Sequence, residues 1–317
     1  MKNFLKLLND RLFSSAYQVR RVVILVAILI VAGLVSFGTY YYFDRYAAVQ
    51  QPVAEKSIAE AEQAVRDDPT NVDVRLGLAQ TYLFYNRFDD AVAQALEVQK
   101  EYPDDVRVDF VLGIAYSNNG KPEQSLEPLQ KFIDSRKDEE NPGLDKQLQA
   151  ASYYLGGSYM QLNQPDKAIL PYENAVNWSQ TDADAMYKLG TAYAAIKDYN
   201  KAVNMYIAAT TFVPDYLEAY EAMAAAYDTL NEPDLATYAR GMVAYSQKDY
   251  QKALDLLLKS AQARPDFPLT FAGIGRTYEA LKDLPNAKIA YETALKLDPN
   301  NFTASIGIQR VDAGLKK

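Results

Sequence analysis

The sequence predicts an all-α fold, a solenoid of antiparallel helix pairs carried behind one membrane-spanning helix. Three observations predict it. Small and aromatic residues recur with a 34-residue period through the body, one run of 22 residues near the start carries no charge, and no stretch has a strand's alternation.

Residues 1–21 carry Lys2, Lys6, Arg11, Arg20 and Arg21 against Asp10 and read as a basic cytoplasmic tail. Residues 22–43 are uncharged, and as a helix they would be about 33 Å long, enough for a hydrocarbon core of roughly 30 Å. The flanking Arg20 and Arg21 set the cytoplasmic side, and Tyr40, Tyr41, Tyr42 and Phe43 supply an aromatic belt at the far interface. A cleaved signal peptide is the competing reading, with small residues at Ser36-Phe37-Gly38. The run is longer than the roughly 7–15 residues of an h-region, which favours a retained signal anchor. The remaining 28 basic and 40 acidic residues form an acidic body, so the formal charge of −8 averages two parts of opposite sign. The acidic body is expected outside the cytoplasm, on the periplasmic side of a bacterial inner membrane.

Residues 44–71 read as a juxtamembrane linker and a lone helix. Within it SIAEAEQAVRDDPTN matches only a second helix of the repeat, with Ala61, Ala64 and Pro69 in register.

The array occupies residues 72–301, with repeat starts at 72, 106, 149, 183, 217, 234 and 268. The eighth position is always Ala or Gly. The eleventh is Tyr82, Tyr116, Tyr159, Tyr193, Tyr227, Ala244 and Tyr278, and the twentieth is Ala or Ser throughout. Small residues let two helices cross closely, and large neighbours fill the space beside the crossing. Pro103, Pro214, Pro265 and Pro299 stop second helices. Packing at these positions accounts for most of the 25 Tyr residues.

With Tyr278, Ala287, Tyr291, Ala294 and Pro299 as the closest single match, the sequence resembles the tetratricopeptide repeat family over residues 53–314. The resemblance implies a right-handed superhelix whose first helices line a concave face. It extends to single-pass, membrane-anchored bacterial members of that family. Such proteins serve as chaperones beside a secretion channel, organisers of cytochrome maturation or subunits of envelope assemblies.

Two irregularities interrupt the period. Nine extra residues near 137–148 predict a solvated loop with a helix extension, a contact loop being the alternative. Near 233–247 the step falls to half a repeat, so one helix must close one repeat and open the next. Residues 302–317 read as a cap helix over the last repeat.

The resemblance places groove residues at the second, fifth, ninth and twelfth positions of first helices. These give a partner-binding stripe of Leu76, Leu83, Phe110, Ile114, Tyr153, Met160 and Tyr187, followed by Glu218, Glu221, Asp228, Arg276 and Glu279. The first half is apolar and the second largely acidic. An apolar stripe of this kind fits a helix or an extended segment of another protein, unless the lone helix or a neighbouring turn of the superhelix covers it. The family's carboxylate clamp needs Lys and Asn where this chain has Leu76 and Gln80, which argues against chaperone C-termini as ligands.

The chain has no Cys and no His, which excludes disulfides, the usual zinc and haem ligands and triad chemistry. Paired acids such as Asp67-Asp68, Asp89-Asp90 and Asp104-Asp105 fall at helix ends, where acids favour caps. No catalytic residue, cofactor or metal site is expected. An acidic body is not expected to bind nucleic acid. Asn177-Trp178-Ser179 and Asn301-Phe302-Thr303 are glycosylation sequons only in a glycosylating host. The expected function is a membrane-anchored protein-binding scaffold that assists assembly or chaperoning of envelope complexes. A permanent subunit of a larger membrane complex is the alternative, with an enzyme further behind.

Overall fold

Small residues at helix crossings, capped helix starts and left-handed turns give sixteen α-helices and one 3-10 turn among the described residues. The computed structural model describes residues 16–42, 50–138 and 140–315. The chain divides into two compact units, one up to Tyr85 and one from Asn86 onward.

In the first unit α1 spans Ala16–Tyr42. Every described side chain from 23 to 39 is exposed. Among the described residues no helix is long and apolar enough to cross a membrane. The ends of the uncharged sequence run extend beyond α1's described side chains, and the tail over residues 1–15 lies outside the described residues. Helix α2, Gln50–Asp67, packs on α3, Val72–Phe84. The Asn71 side chain caps α3 by accepting from the N–H groups of Asp73 and Val74. The Tyr82 hydroxyl donates to Glu62 on α2 at 2.8 Å.

The second unit holds α4 (Phe88–Glu101), α5 (Val106–Asn118), α6 (Pro122–Arg136), α7 (Lys146–Gln161), α8 (Pro165–Trp178), α9 (Ala183–Ala195), α10 (Tyr199–Phe212) and α11 (Leu217–Thr229). It continues through α12 (Pro233–Ser246), α13 (Tyr250–Ala263), α14 (Pro268–Ala280), α15 (Leu284–Leu297) and α16 (Phe302–Leu315). The helix-pair turns place Gly120, Asn163, Lys197, Asn231, Lys248 and Lys282 at positive φ. At each of these turns the next residue's N–H returns to the carbonyl at the eleventh repeat position, as in Glu232 to Tyr227 and Asp249 to Ala244, both 2.9 Å. Small eighth residues permit the crossings that follow. A Cβ on Gly275 would lie 2.6 Å from the Tyr291 ring, and one on Gly241 would lie 2.8 Å from Leu257.

The Gly241 contact exposes the irregularity. Helix α12 packs on both α11 and α13, with an equivalent turn at each end. Contacts between alternate helices run α5–α7, α7–α9 and α9–α11, then resume as α12–α14 and α14–α16. The inner row therefore shifts by one helix at α12. In the insertion, α6 ends at Arg136 and a 3-10 turn spans Pro142–Leu144, with Leu144 82% exposed. Asp145 caps α7 and pairs with Arg136 at 3.1 Å, tying the insertion's two ends together. Helix α16 covers α14 and α15, burying Ala304 and Val311 against Tyr291 and Ala294.

Candidate protein-binding site

The inner row of first helices forms a cleft of about 350 Å³ between α5, α7 and α9. Its wall includes Tyr153 and Met160 from α7, Asn118 from α5 and Lys188 from α9. Beneath it, the Ser117 and Ser158 hydroxyls lie 2.9 Å apart, and Ser125 donates to Ser158 at 2.7 Å. These small hydroxyls satisfy one another where α5, α6 and α7 meet, leaving the floor well packed.

A clasp shapes the cleft's outer edge. Tyr153 from α7 and Tyr216, the residue before α11, both donate hydroxyl hydrogen bonds to Asp184 on α9, the latter at 2.8 Å. Burial and the Asp184 carboxylate hold both phenols well above their ordinary pKa, because each opposes a phenolate. The Tyr187 ring stands 5.2 Å from Tyr216 and 5.9 Å from Tyr206. One carboxylate and a line of rings thus bridge three successive inner helices.

Of the seven residues expected to form the stripe, the structure brings Tyr153 and Met160 into this cleft. Leu83 and Tyr187 are half-buried outside its lining. The expectation of open surface is corrected at Leu76, Phe110 and Ile114, which are buried at 3%, 9% and 9% exposure. Phe110 packs on Phe132 with ring centroids 5.0 Å apart, so the fifth position serves the helix-pair core there. Sequence reasoning missed the small and polar part of the lining. Ser117, Gly157 and Thr191 occupy the same ninth and twelfth positions and were readable from the register, whereas Asn118 and Gln161 lie one position beyond it.

Helix pairs stacked at regular crossings, with an inner row of first helices, define the class of helical-repeat solenoids. Tetratricopeptide repeat models match residues 54–109, 184–214, 215–268 and 270–301, and the chain belongs to the tetratricopeptide repeat family. Among curated relatives, the peroxisomal targeting signal receptor of Komagataella phaffii is 23% identical over 64% of this chain and 38% of its own length. Hsp70-Hsp90 organizing protein 1 of Glycine max is 24% identical over 83% of this chain and 42% of its own. The chain thus spans about two-fifths of the length of these relatives. Among solved structures, YrrB, described as a TPR protein with an unusual peptide-binding site, superposes with a TM-score of 0.51 at 18% identity, over 62% of this chain and 96% of its own. MamA from AMB-1 gives 0.50 at 18%, over 57% and 94%. At such identities these structures show the shared fold.

Proposed function

We propose that this chain is a membrane-anchored, non-catalytic scaffold whose solenoid lies outside the cytoplasm and holds segments of other proteins during assembly or chaperoning of envelope complexes. The observation that carries the binding part is the cleft at Tyr153 and Met160, where apolar groups stand beside the polar side chains of Asn118 and Lys188. Such a mixture fits a peptide better than a small apolar ligand. The anchoring part rests on the uncharged run over residues 22–43 and on the uniform exposure of its described side chains. The relatives' names, a targeting-signal receptor and an organizing protein, are those of proteins that handle other proteins.

A photo-reactive residue placed at Tyr153 or Met160 in native membranes tests the reading. Several substoichiometric crosslinked clients are the expected result. One stoichiometric partner would assign the chain instead as a permanent subunit, and absence of any crosslinked protein would remove the cleft as the site. Release of the full chain from membranes by alkaline carbonate would remove the anchor.

A further inference from the structure

A second cleft, about 440 Å³, lies between the α10–α11 connection and the shifted row of α12, α14 and α16. The sequence register marks this half of the inner face as acidic, yet the cleft's uncommitted groups are cationic. Arg276 donates from Nη1 to the Pro214 carbonyl at 2.7 Å, and its guanidinium carbon sits 4.8 Å from the Tyr245 ring centroid. Neither contact neutralises its charge, and the one carboxylate that feels it, Glu279, is shared with Arg310. The cleft's carboxylate, Glu279, is already engaged, accepting from Arg310 at 2.8 and 2.9 Å and from the Tyr291 hydroxyl at 2.9 Å. Lys282, on the following turn, is exposed and among the described residues is not held in an ion pair. Phe302, 59% exposed, and Ile306 add an apolar wall from α16.

A half-buried guanidinium held over a ring and bonded only to neutral oxygens, the Pro214 carbonyl and the Tyr220 hydroxyl, is less screened than a surface charge. In a body with 40 acidic and 28 basic side chains, such a surplus of positive charge does not follow from composition. Cations on two separate elements beside an apolar wall match an extended segment, whose successive side chains point to opposite faces. We infer that this distal cleft docks an extended peptide segment in which Asp or Glu side chains alternate with large apolar residues. The inference rests on the reading of the solenoid as a peptide-binding scaffold and adds a second, chemically distinct site to it.

The test is fluorescence anisotropy on the full chain in detergent, with a labelled, end-capped eight-residue peptide of alternating Glu and Leu. Two further probes are its Gln-for-Glu counterpart and the Gln peptide with a free C-terminal carboxylate. The acidic peptide is expected to bind about tenfold or more tightly than either, with affinity falling as salt rises, because charged hydrogen bonds supply the difference. Arg276→Gln is expected to remove most of that preference. Lys282→Gln, at an exposed turn, is expected to weaken it severalfold without changing thermal unfolding, so the result does not depend on Arg276 being dispensable for folding. Equal binding of the acidic and Gln peptides, no binding of the acidic peptide, tightest binding of the free-carboxylate peptide, or unchanged affinity in both variants would each overturn the inference. Crosslinking at Tyr153 reads the proximal cleft separately, so either site can fail alone.

Discussion

Asn231 and Lys248 hold the same left-handed backbone, at φ 58° and 64°, on either side of α12. Each closes a helix pair, which makes α12 the second helix of one pair and the first of the next. The arrangement predicts an asymmetry in substitution. Lys248→Gly should stabilise the solenoid slightly, because Gly meets no Cβ penalty at positive φ. Lys248→Val should cost about 1 kcal/mol, because Lys already bears the Cβ penalty and a β-branched side chain crowds this backbone further. Urea unfolding of both variants measures the difference.

The crossing contacts predict a ranking. Gly275→Ala drives a methyl to 2.6 Å from the rigid Tyr291 ring, whereas Gly241→Ala meets the flexible Leu257 side chain at 2.8 Å. Overpacking should cost about 1–3 kcal/mol at Gly275 and less at Gly241. Adding Tyr291→Leu should recover part of the Gly275→Ala loss. Equal destabilisation at the two glycines in calorimetry would contradict this account.

The Asp184 clasp predicts coupling between helices. Asp184→Ala leaves the Tyr153 and Tyr216 hydroxyls without their shared acceptor, and a lost charged hydrogen bond costs about 1.5–3 kcal/mol in such settings. Tyr153→Phe should cost little once Asp184 is gone, a non-additivity that a double-mutant cycle reads directly. Ultraviolet titration of the variant should show phenols ionising at lower pH, since the carboxylate no longer opposes them.

Glu279 and Asp109 predict opposite pH dependences. Burial raises the Glu279 pKa, but hydrogen bonds from Arg310 and Tyr291 outweigh it and leave the carboxyl below its ordinary range. Its contribution to stability is therefore present above the unfolded-state pKa and lost as pH falls through the folded value. Asp109 is 4% exposed, and burial raises its pKa despite the Lys131 ammonium at 2.9 Å. The folded state then holds that proton more tightly, so stability from this group falls as pH rises from the unfolded pKa through the folded one. Unfolding midpoints measured from pH 3 to 7 should show Glu279→Gln flattening the acid-side loss and Asp109→Asn flattening the opposing slope.

The repeat period, its small and aromatic positions, the insertion near 137–148 and the half-step near 233–247 were legible in the sequence, because a helix crossing constrains residue size at fixed spacing. The same spacing placed Tyr153 and Met160 on the inner row. It could not say that Phe110 turns into the core against Phe132 while Tyr153, at the equivalent position, borders a cleft. That difference depends on which side chains neighbouring helices bring to the same place, and residues far apart in sequence supply them. The charge balance inside the distal cleft was not legible for the same reason. Glu279 and Arg276 look balanced along the chain, but Arg310 from α16 takes the carboxylate, and Pro214 and Tyr245 hold Arg276 without cancelling its charge. Local periodicity determined that this chain stacks helix pairs. Only the tertiary structure decided which of its charges are left over for a partner, because pairing between distant helices is set by packing and not by spacing.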